Sequence, residues 1–398
     1  MSFFFKTEGG SACAMRDMST IKPFKIHVPQ AQLDDLHARL SKTTWPSVID
    51  GHDYGGPKRP QIEELVRRAG ALDWRKKEAD LNKLPQFTSD VDGQKIHLIH
   101  VKSKQANAMP LLLIHGWPGS PVEFLDQISP LVDPVGHGGS AERAFDVVVP
   151  SLPGFAFSGP TTVPSWNNVR IGKALIELMA RLGYHKFALQ GGDAGAIIGP
   201  EMGRLAPEKI IGIHLNAATL GFIPMGPVAE AEMATFTPAE KKRLGAVQEF
   251  MQVKFGFNLL QSHQPQLVAY ALSDSPAGLM AWMTQLMNPD EVGVERFLTN
   301  FFIYWLTGTA SSSIRLYYEN AHDPGAWAPK ANSGVPTAVA VFQDGDVAIR
   351  RYGEAGNNIV RWTEYPRGGH YAVMTASQEW LADVREFFTE LPRSNAGA

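Results

Sequence analysis

The sequence predicts an α/β chain: a mostly parallel sheet flanked by helices, with an N-terminal extension and a helical insertion over the sheet's edge. Three observations predict it. Continuous apolar runs such as Leu111–Ile114 and Phe145–Val149 are of the kind that strands covered on both faces require, and they alternate with helical patterns. Between Ala217 and Ala331 the chain turns rich in Met, Phe, Trp, Tyr and Ala and poor in β-branched runs, as a helical insertion would. Third, the run Phe187-Ala188-Leu189-Gln190 breaks at Gly191-Gly192-Asp193-Ala194-Gly195 and resumes in a helix-compatible stretch. That is a strand, a tight turn and a helix, with Asp193 at the turn's centre. The alternative for Asp193 is a simple helix-capping turn, since Asp is a favoured N-cap.

The elements follow in chain order. Residues 1–20 read as a loose tail. Leu33, Leu36 and Leu40 after Pro29 share one helical face, as do Ile62, Leu65, Val66 and Ala69. Gly51, Gly55, Gly56, Pro57 and Pro60 mark the loop between them. Val91-Asp92-Gly93-Gln94 is a turn signal ahead of the alternating strand 95–101. Leu111–Ile114 and Phe145–Val149 end in His115-Gly116-Trp117-Pro118-Gly119-Ser120 and Pro150-Ser151-Leu152-Pro153-Gly154. Leu175, Leu178, Met179 and Leu182 line a helix that Gly183 can terminate at C′. Ile210–Leu215 is a further strand. Helices are expected over 230–257, 267–287 and 295–306. Strands return at 336–342 and 359–365, and a last helix carries Trp380, Leu381, Val384, Phe387 and Phe388, with Ser377 as its N-cap. The organisation expected is 1–90 as an N-terminal meander, 91–216 and 332–398 as two parts of one core, and 217–331 as a cap.

Composition narrows the function. A net charge of −3 gives no reason to expect nucleic acid or an anionic membrane as partner. The single cysteine, Cys13, allows no intrachain disulfide and no cysteine-based metal site, which fits a reducing cytoplasm. The first residues are apolar for too short a stretch to be a signal h-region, and no run reaches transmembrane length.

The chemistry concentrates at strand ends. Asp193 holds the central position of a nucleophile elbow, where a serine stands in the G-x-S-x-G form. An acid follows the strand 336–342, in Gln343-Asp344-Gly345-Asp346, and His370 follows the strand 359–365, in Arg367-Gly368-Gly369-His370. Nucleophile, acid, histidine is the chain order of α/β-hydrolases. In that architecture the loop at Trp117 supplies one oxyanion-hole N–H, and the residue after the nucleophile, Ala194, supplies the other. Asp344 and Asp346 compete for the acid position.

In these motifs the chain resembles the epoxide hydrolases of the α/β-hydrolase superfamily, in the microsomal-type branch with its long N-terminal segment. The resemblance runs from about Ile21 to Phe388. It rests on Pro85-Gln86-Phe87, His115–Ser120, Pro150–Gly154, Gln190–Gly195, Asp274-Ser275-Pro276 with Trp282, Tyr304-Trp305 and Arg367–His370. It implies an Asp193 ester formed by in-line attack on an epoxide carbon, hydrolysed by water that His370 activates, without cofactor or metal. It favours Asp346 as the acid, because Val347–Arg351 continues the family pattern. It implies Tyr317 as proton donor and a substrate-binding cap that includes Phe257 and Trp282. The expected partner is a small hydrophobic epoxide, with a homodimer allowed. The membrane anchor of the mammalian members has no counterpart, which implies a soluble cytoplasmic protein. The chain departs from the family in one place: Phe257 stands where a second donor tyrosine is expected. A haloalkane dehalogenase-like activity is the alternative, but it wants a halide-holding Trp after the nucleophile, where this chain has Ala194. A non-catalytic binding protein on the same scaffold is the other alternative, favoured only by Phe257.

Overall fold

The computed structural model describes residues 20–391 except 50, 225, 327, 344 and 345. Cys13, most of the expected N-terminal tail, the tail 393–398 and Asp344 lie outside the described residues. Among the described residues nine strands form one sheet: β1 Lys22–Phe24, β2 Gln86–Val91, β3 Gln94–Val101, β4 Met109–Ile114, β5 Phe145–Pro150, β6 Phe187–Gly191, β7 Ile210–Leu215, β8 Pro336–Phe342 and β9 Asn358–Tyr365. Their order is β1-β2-β3-β5-β4-β6-β7-β8-β9. The first three strands run antiparallel and the rest are parallel.

The apolar runs sit where two-faced burial requires them. In β4, Leu112 and Ile114 face one core cluster while Leu111 and Leu113 face the other. The helix Asn168–Arg181 adds Ile171, Leu175 and Leu178 to the first cluster. The C-terminal helix Ser377–Glu390 adds Trp380, Val384 and Phe387 to the second. Gly183, at φ +87°, ends the former helix as expected. Burying a large apolar side chain in such a cluster contributes about 1.5–3 kcal/mol.

All described helices between β7 and β8 belong to the aromatic stretch 230–321. Two expected long helices are broken. The span 230–257 becomes Glu230–Met233, Pro238–Val253 and Gly256–His263. The span 267–287 becomes Pro265–Asp274 and Pro276–Met283. At Pro238 and Pro276 the cause is proline, which cannot continue a helix but suits its first turn. Pro238 follows Thr237, which forms a capping box with Glu240, and Pro276 follows Ser275, whose hydroxyl accepts from the Gly278 N–H at 3.0 Å. The last helix also starts differently: Ser377 is its first residue and Ala376 takes the cap position, because the short helix Ala372–Thr375 runs into it.

Two N-terminal elements have no clear apolar period. β1 is only three residues long, and the helix Trp74–Leu81 shows a mostly charged surface. Tertiary contacts place them. β1 pairs with β2, and Trp74 stacks on Phe302 with ring centres 5.5 Å apart. The helix Arg59–Ala71 packs against Pro276–Met283 and Val294–Leu306. Among the described residues no helix is long and apolar enough to cross a membrane.

A buried polar knot ties the C-terminal helix to the sheet. Asp383 accepts from His214 Nε2 at 2.9 Å, from Arg361 at 2.7 and 2.9 Å, and from Thr363 Oγ1 at 3.1 Å. Burial alone would raise the Asp383 carboxyl, but His214 and Arg361 outweigh it and hold it well below the usual range. A depressed carboxyl stabilises the fold above its unfolded pKa of about 3.9 and ceases to do so as pH falls through the folded value. Asp383→Ala should destabilise by about 3–5 kcal/mol in denaturant titration at pH 7, because Arg361 and His214 lose their buried acceptor. The difference from the native protein should shrink below about pH 4. A variant within 1 kcal/mol of the native protein at pH 7 would show that the knot contributes little.

Candidate active site

The parallel strands deliver their C-terminal ends to one edge, where the motif loops meet. After β6, Gly191 and Gly192 lead into Asp193 at φ +53°, a left-handed backbone that costs a non-glycine residue about 1 kcal/mol or more. The helix Gly195–Leu205 starts at once. Gly195 is required by close approach: a Cβ there would stand 2.2 Å from the Ile114 carbonyl oxygen of β4. Gly116 is required by the carboxylate itself, since a Cβ there would stand 2.1 Å from Asp193 Oδ1.

That carboxylate is hydrogen-bonded at Oδ1 and faces His370 with Oδ2. The Trp117 N–H donates to Oδ1 at 2.9 Å. Oδ2 lies 3.3 Å from His370 Nε2, a charge contact that misses hydrogen-bond direction. Burial would raise the Asp193 carboxyl, but His370 and the N–H groups of Trp117 and Ala194 outweigh it and lower it below the usual carboxylate range. Burial would lower His370, but Asp193 and, from further off, Asp346 outweigh it and raise it. Each group thus favours the charged form of the other.

Asp346 is buried just past β8. Its Oδ2 accepts from the Phe342 N–H at 3.0 Å and the Ala217 N–H at 3.4 Å. Burial pushes its carboxyl up to about 6, against the pull of those N–H groups and His370. It acts on His370 as an opposite charge.

The loop carrying Trp117 is braced from several sides. His115 Nε2 accepts from the Leu152 N–H at 3.1 Å, and burial lowers this imidazole to about 4, so it stays neutral. Ser120 Oγ donates to Asn300 Oδ1 at 2.6 Å, and the Tyr304 hydroxyl donates to the Gly119 carbonyl at 2.7 Å. Tyr304 is thus a brace for the loop.

Above the carboxylate lies an aromatic trio. Phe257 stacks on Trp117 with centres 5.5 Å apart and planes 14° apart. Tyr317 meets Trp117 edge-on at 6.0 Å and Phe257 at 6.1 Å. Burial, with Asp193 nearby, drives the Tyr317 phenol well above its ordinary pKa, so it stays a donor. Trp282 makes a separate link: its indole N–H donates to Gln261 at 2.8 Å, one turn along from Phe257.

The elbow, the Trp117 loop, His370, Asp346, Phe257 and Tyr317 thus converge from distant parts of the chain. Three more polar residues join them unannounced: Glu123, Asn216 and Tyr371 line a small cavity beside Asp193 and His370. The one sequence signal was Glu123, a carboxyl in the otherwise apolar run Pro121-Val122-Glu123-Phe124.

Known proteins agree with this architecture. Residues 21–124 match the model of the epoxide hydrolase N terminus, and residues 109–375 match that of the alpha/beta hydrolase fold. A Stigmatella aurantiaca protein, provisionally named an epoxide hydrolase, is 40% identical over 93% of this chain and 85% of its own length. Epoxide hydrolase 1 of Sus scrofa is 32% identical, over 95% of this chain and 90% of its own. The crystal structure of juvenile hormone epoxide hydrolase from the silkworm Bombyx mori superimposes with a TM-score of 0.81 at 26% identity, covering 92% of this chain and 93% of that one. By its two family models, its motifs and these relatives, the chain belongs to the microsomal-type epoxide hydrolases of the α/β-hydrolase superfamily.

Proposed function

We propose that this epoxide hydrolase converts small hydrophobic epoxides to vicinal diols through a covalent ester on Asp193. The observation that carries the reading is the Asp193 carboxylate, with Oδ1 on the Trp117 N–H and Oδ2 facing His370. Oδ2 is the oxygen free to attack. An epoxide carbon is sp³, so Oδ2 displaces the ring oxygen in line, and Tyr317 protonates that oxygen as it leaves. Water then adds to Asp193 Cγ and gives a proton to His370. The resulting oxyanion is held at the N–H groups of Trp117 and Ala194. Collapse releases the diol, whose alkoxide takes the proton back from His370.

The electrostatics time these steps. In the resting enzyme the Asp193 charge raises His370. Esterification removes that charge and leaves burial, which lowers His370, as the main influence. The imidazole then gives up its proton, which by way of solvent restores the Tyr317 phenol, and becomes a base when a base is needed. Asp346 supplies the remaining opposite charge and orients the ring electrostatically. Among the described residues, those of 217–331 act as the cap over a core drawn from 91–216 and 332–391, braced by those of 20–90. Phe257 and Tyr317 are its substrate-facing side chains, with Trp282 holding Gln261 behind them.

The test is a single turnover in ¹⁸O water. Label should enter the Asp193 carboxylate, and a peptide digest with mass analysis reads it. Label confined to the diol after one turnover would mean direct attack by water and would end the covalent reading.

A pH dependence follows. Asp193 is held low and Tyr317 high, so alkylation should be flat between about pH 5 and 9. Hydrolysis needs neutral His370 and charged Asp346, so it should fall as pH drops below about 6, where Asp346 takes up its proton. Alkyl-enzyme should therefore accumulate at pH 5 in rapid-quench mass measurements. Equal loss of both steps at pH 5 would contradict the assignment.

A further inference from the structure

Two buried polar atoms near Asp193, Glu123 Oε1 and the Tyr371 hydroxyl, have no hydrogen-bond partner, and His370 Nε2 meets only the Asp193 carboxylate, off hydrogen-bond direction. All three residues line one enclosed cavity, together with Asp193 and Asn216. Unpartnered polar groups are costly to bury, and two around one space require an occupant. The cavity offers about 10 Å³ to the centre of a water-sized sphere, room for a single water. A water needs two to four polar partners, and the lining supplies them.

The sequence and backbone explain how Glu123 comes to be there. It sits on the short helical turn Pro121–Phe124 that follows the Trp117 loop, and its carboxyl folds back beneath that loop. Its Oε1 stands only 1.5 Å from where a Cβ of Gly119 would be, so the glycine makes the room. Burial first, and the nearby Asp193 charge second, push the Glu123 carboxyl well above its usual range and favour its neutral form. The Tyr371 ring follows directly after His370 and packs edge-on against it at 4.9 Å. Burial keeps its hydroxyl protonated. Asn216 Nδ2 donates to the His370 carbonyl at 3.4 Å and anchors this loop to the end of β7.

We propose that this cavity is the seat of the hydrolytic water, and that Glu123 and Tyr371 are its positioning residues. The inference rests on the Asp193 ester reading above. The water donates one proton toward His370 Nε2 and its second hydrogen to Glu123 Oε1. The Tyr371 hydroxyl donates to one lone pair and leaves the other to meet Asp193 Cγ. The bond formed is water oxygen to Cγ, the proton goes to His370, and the bond broken on collapse is Cγ to the diol oxygen. Neither positioning residue changes its protonation. The arrangement separates the two half-reactions in space: the epoxide enters beneath Phe257 and Tyr317, whereas the water waits on the far side of the carboxylate.

The experiment resolves the two steps by rapid quench and intact mass, with styrene oxide as the probe. Glu123→Ala and Tyr371→Phe should alkylate at the native rate and then hydrolyse about ten- to a hundredfold more slowly, so the adduct accumulates. Glu123→Gln keeps a neutral acceptor in the same shape and should restore hydrolysis to within a few-fold of native. His370→Gln runs alongside as the trap for any Asp193 ester. An adduct in His370→Gln with none in Glu123→Ala or Tyr371→Phe would overturn the water site alone. Loss of alkylation in folded Glu123→Ala, or no rescue by Glu123→Gln, would overturn it too. No adduct in His370→Gln would overturn the ester reading and the water site together.

Discussion

His370→Gln is expected to open one epoxide per molecule and then stop. Intact mass should rise by the mass of one substrate, and the adduct should map to Asp193. The physical ground is that the imidazole has a different part in each step. In alkylation it stands 3.3 Å from Oδ2 and helps to lower the carboxyl. A neutral glutamine removes that influence, so attack should be altered only modestly. In hydrolysis it is the base, and the other titratable groups at the cavity are poor replacements, since burial favours the neutral forms of Glu123 and Tyr371. General-base catalysis contributes roughly 10²–10⁴-fold, so steady-state turnover should fall by about that factor while the first turnover survives. Asp346→Asn should slow the same step less, since Asp346 acts on His370 through charge and not through contact. Full turnover by His370→Gln would move the base elsewhere.

Legibility differed across the molecule for identifiable reasons. Strands covered on both faces announce themselves as unbroken apolar runs, and β4, β5 and β7 lie where the runs stand. The elbow is legible because three glycines and an Asp at an apolar strand end have few other uses. The cap helices were legible as helical but not in length, since a period-3.6 pattern continues across Thr237-Pro238 and Ser275-Pro276 while the backbone does not. β1 and the helix Trp74–Leu81 are set by partners remote in sequence, β2 and Phe302, which no local pattern contains. The same limit hid the water cavity. Glu123 and Tyr371 are separated by most of the core and are brought together only by the closing of the sheet. Asp346 also behaves less simply than its place in the chain order suggests. Past β8 its carboxylate is committed to the N–H groups of Phe342 and Ala217 and reaches His370 only through the field.

Tyr317→Phe should slow alkylation by about 10²–10³-fold and leave hydrolysis of any ester that forms unchanged. The donor must meet the ring oxygen as its charge develops, and a single preorganised donor in a desolvated site is worth that much. Tyr317 has the required state: burial and the Asp193 charge keep its proton on throughout the working pH range. In that proposed role it lacks a tyrosine partner at position 257. The residue facing it is Phe257, only 4% exposed and fixed by its stack on Trp117. Other nearby groups are engaged elsewhere. Tyr318 is 38% exposed and stacks on His322 at 3.9 Å, and Asn258 Oδ1 accepts from Ser262. Phe257→Tyr adds a hydroxyl to a ring already edge-on to Tyr317 at 6.1 Å, so the second donor needs no new fold. That variant should raise the alkylation rate on styrene oxide about tenfold or more, toward the full value of one such bond. The two substitutions should also fail to add: Phe257→Tyr in a Tyr317→Phe background should recover much of the lost rate, because either phenol can protonate the same oxygen. Unchanged alkylation in Tyr317→Phe would place the donor elsewhere in the cleft, and a slower Phe257→Tyr would mean that the phenylalanine is kept for the shape of the epoxide it admits.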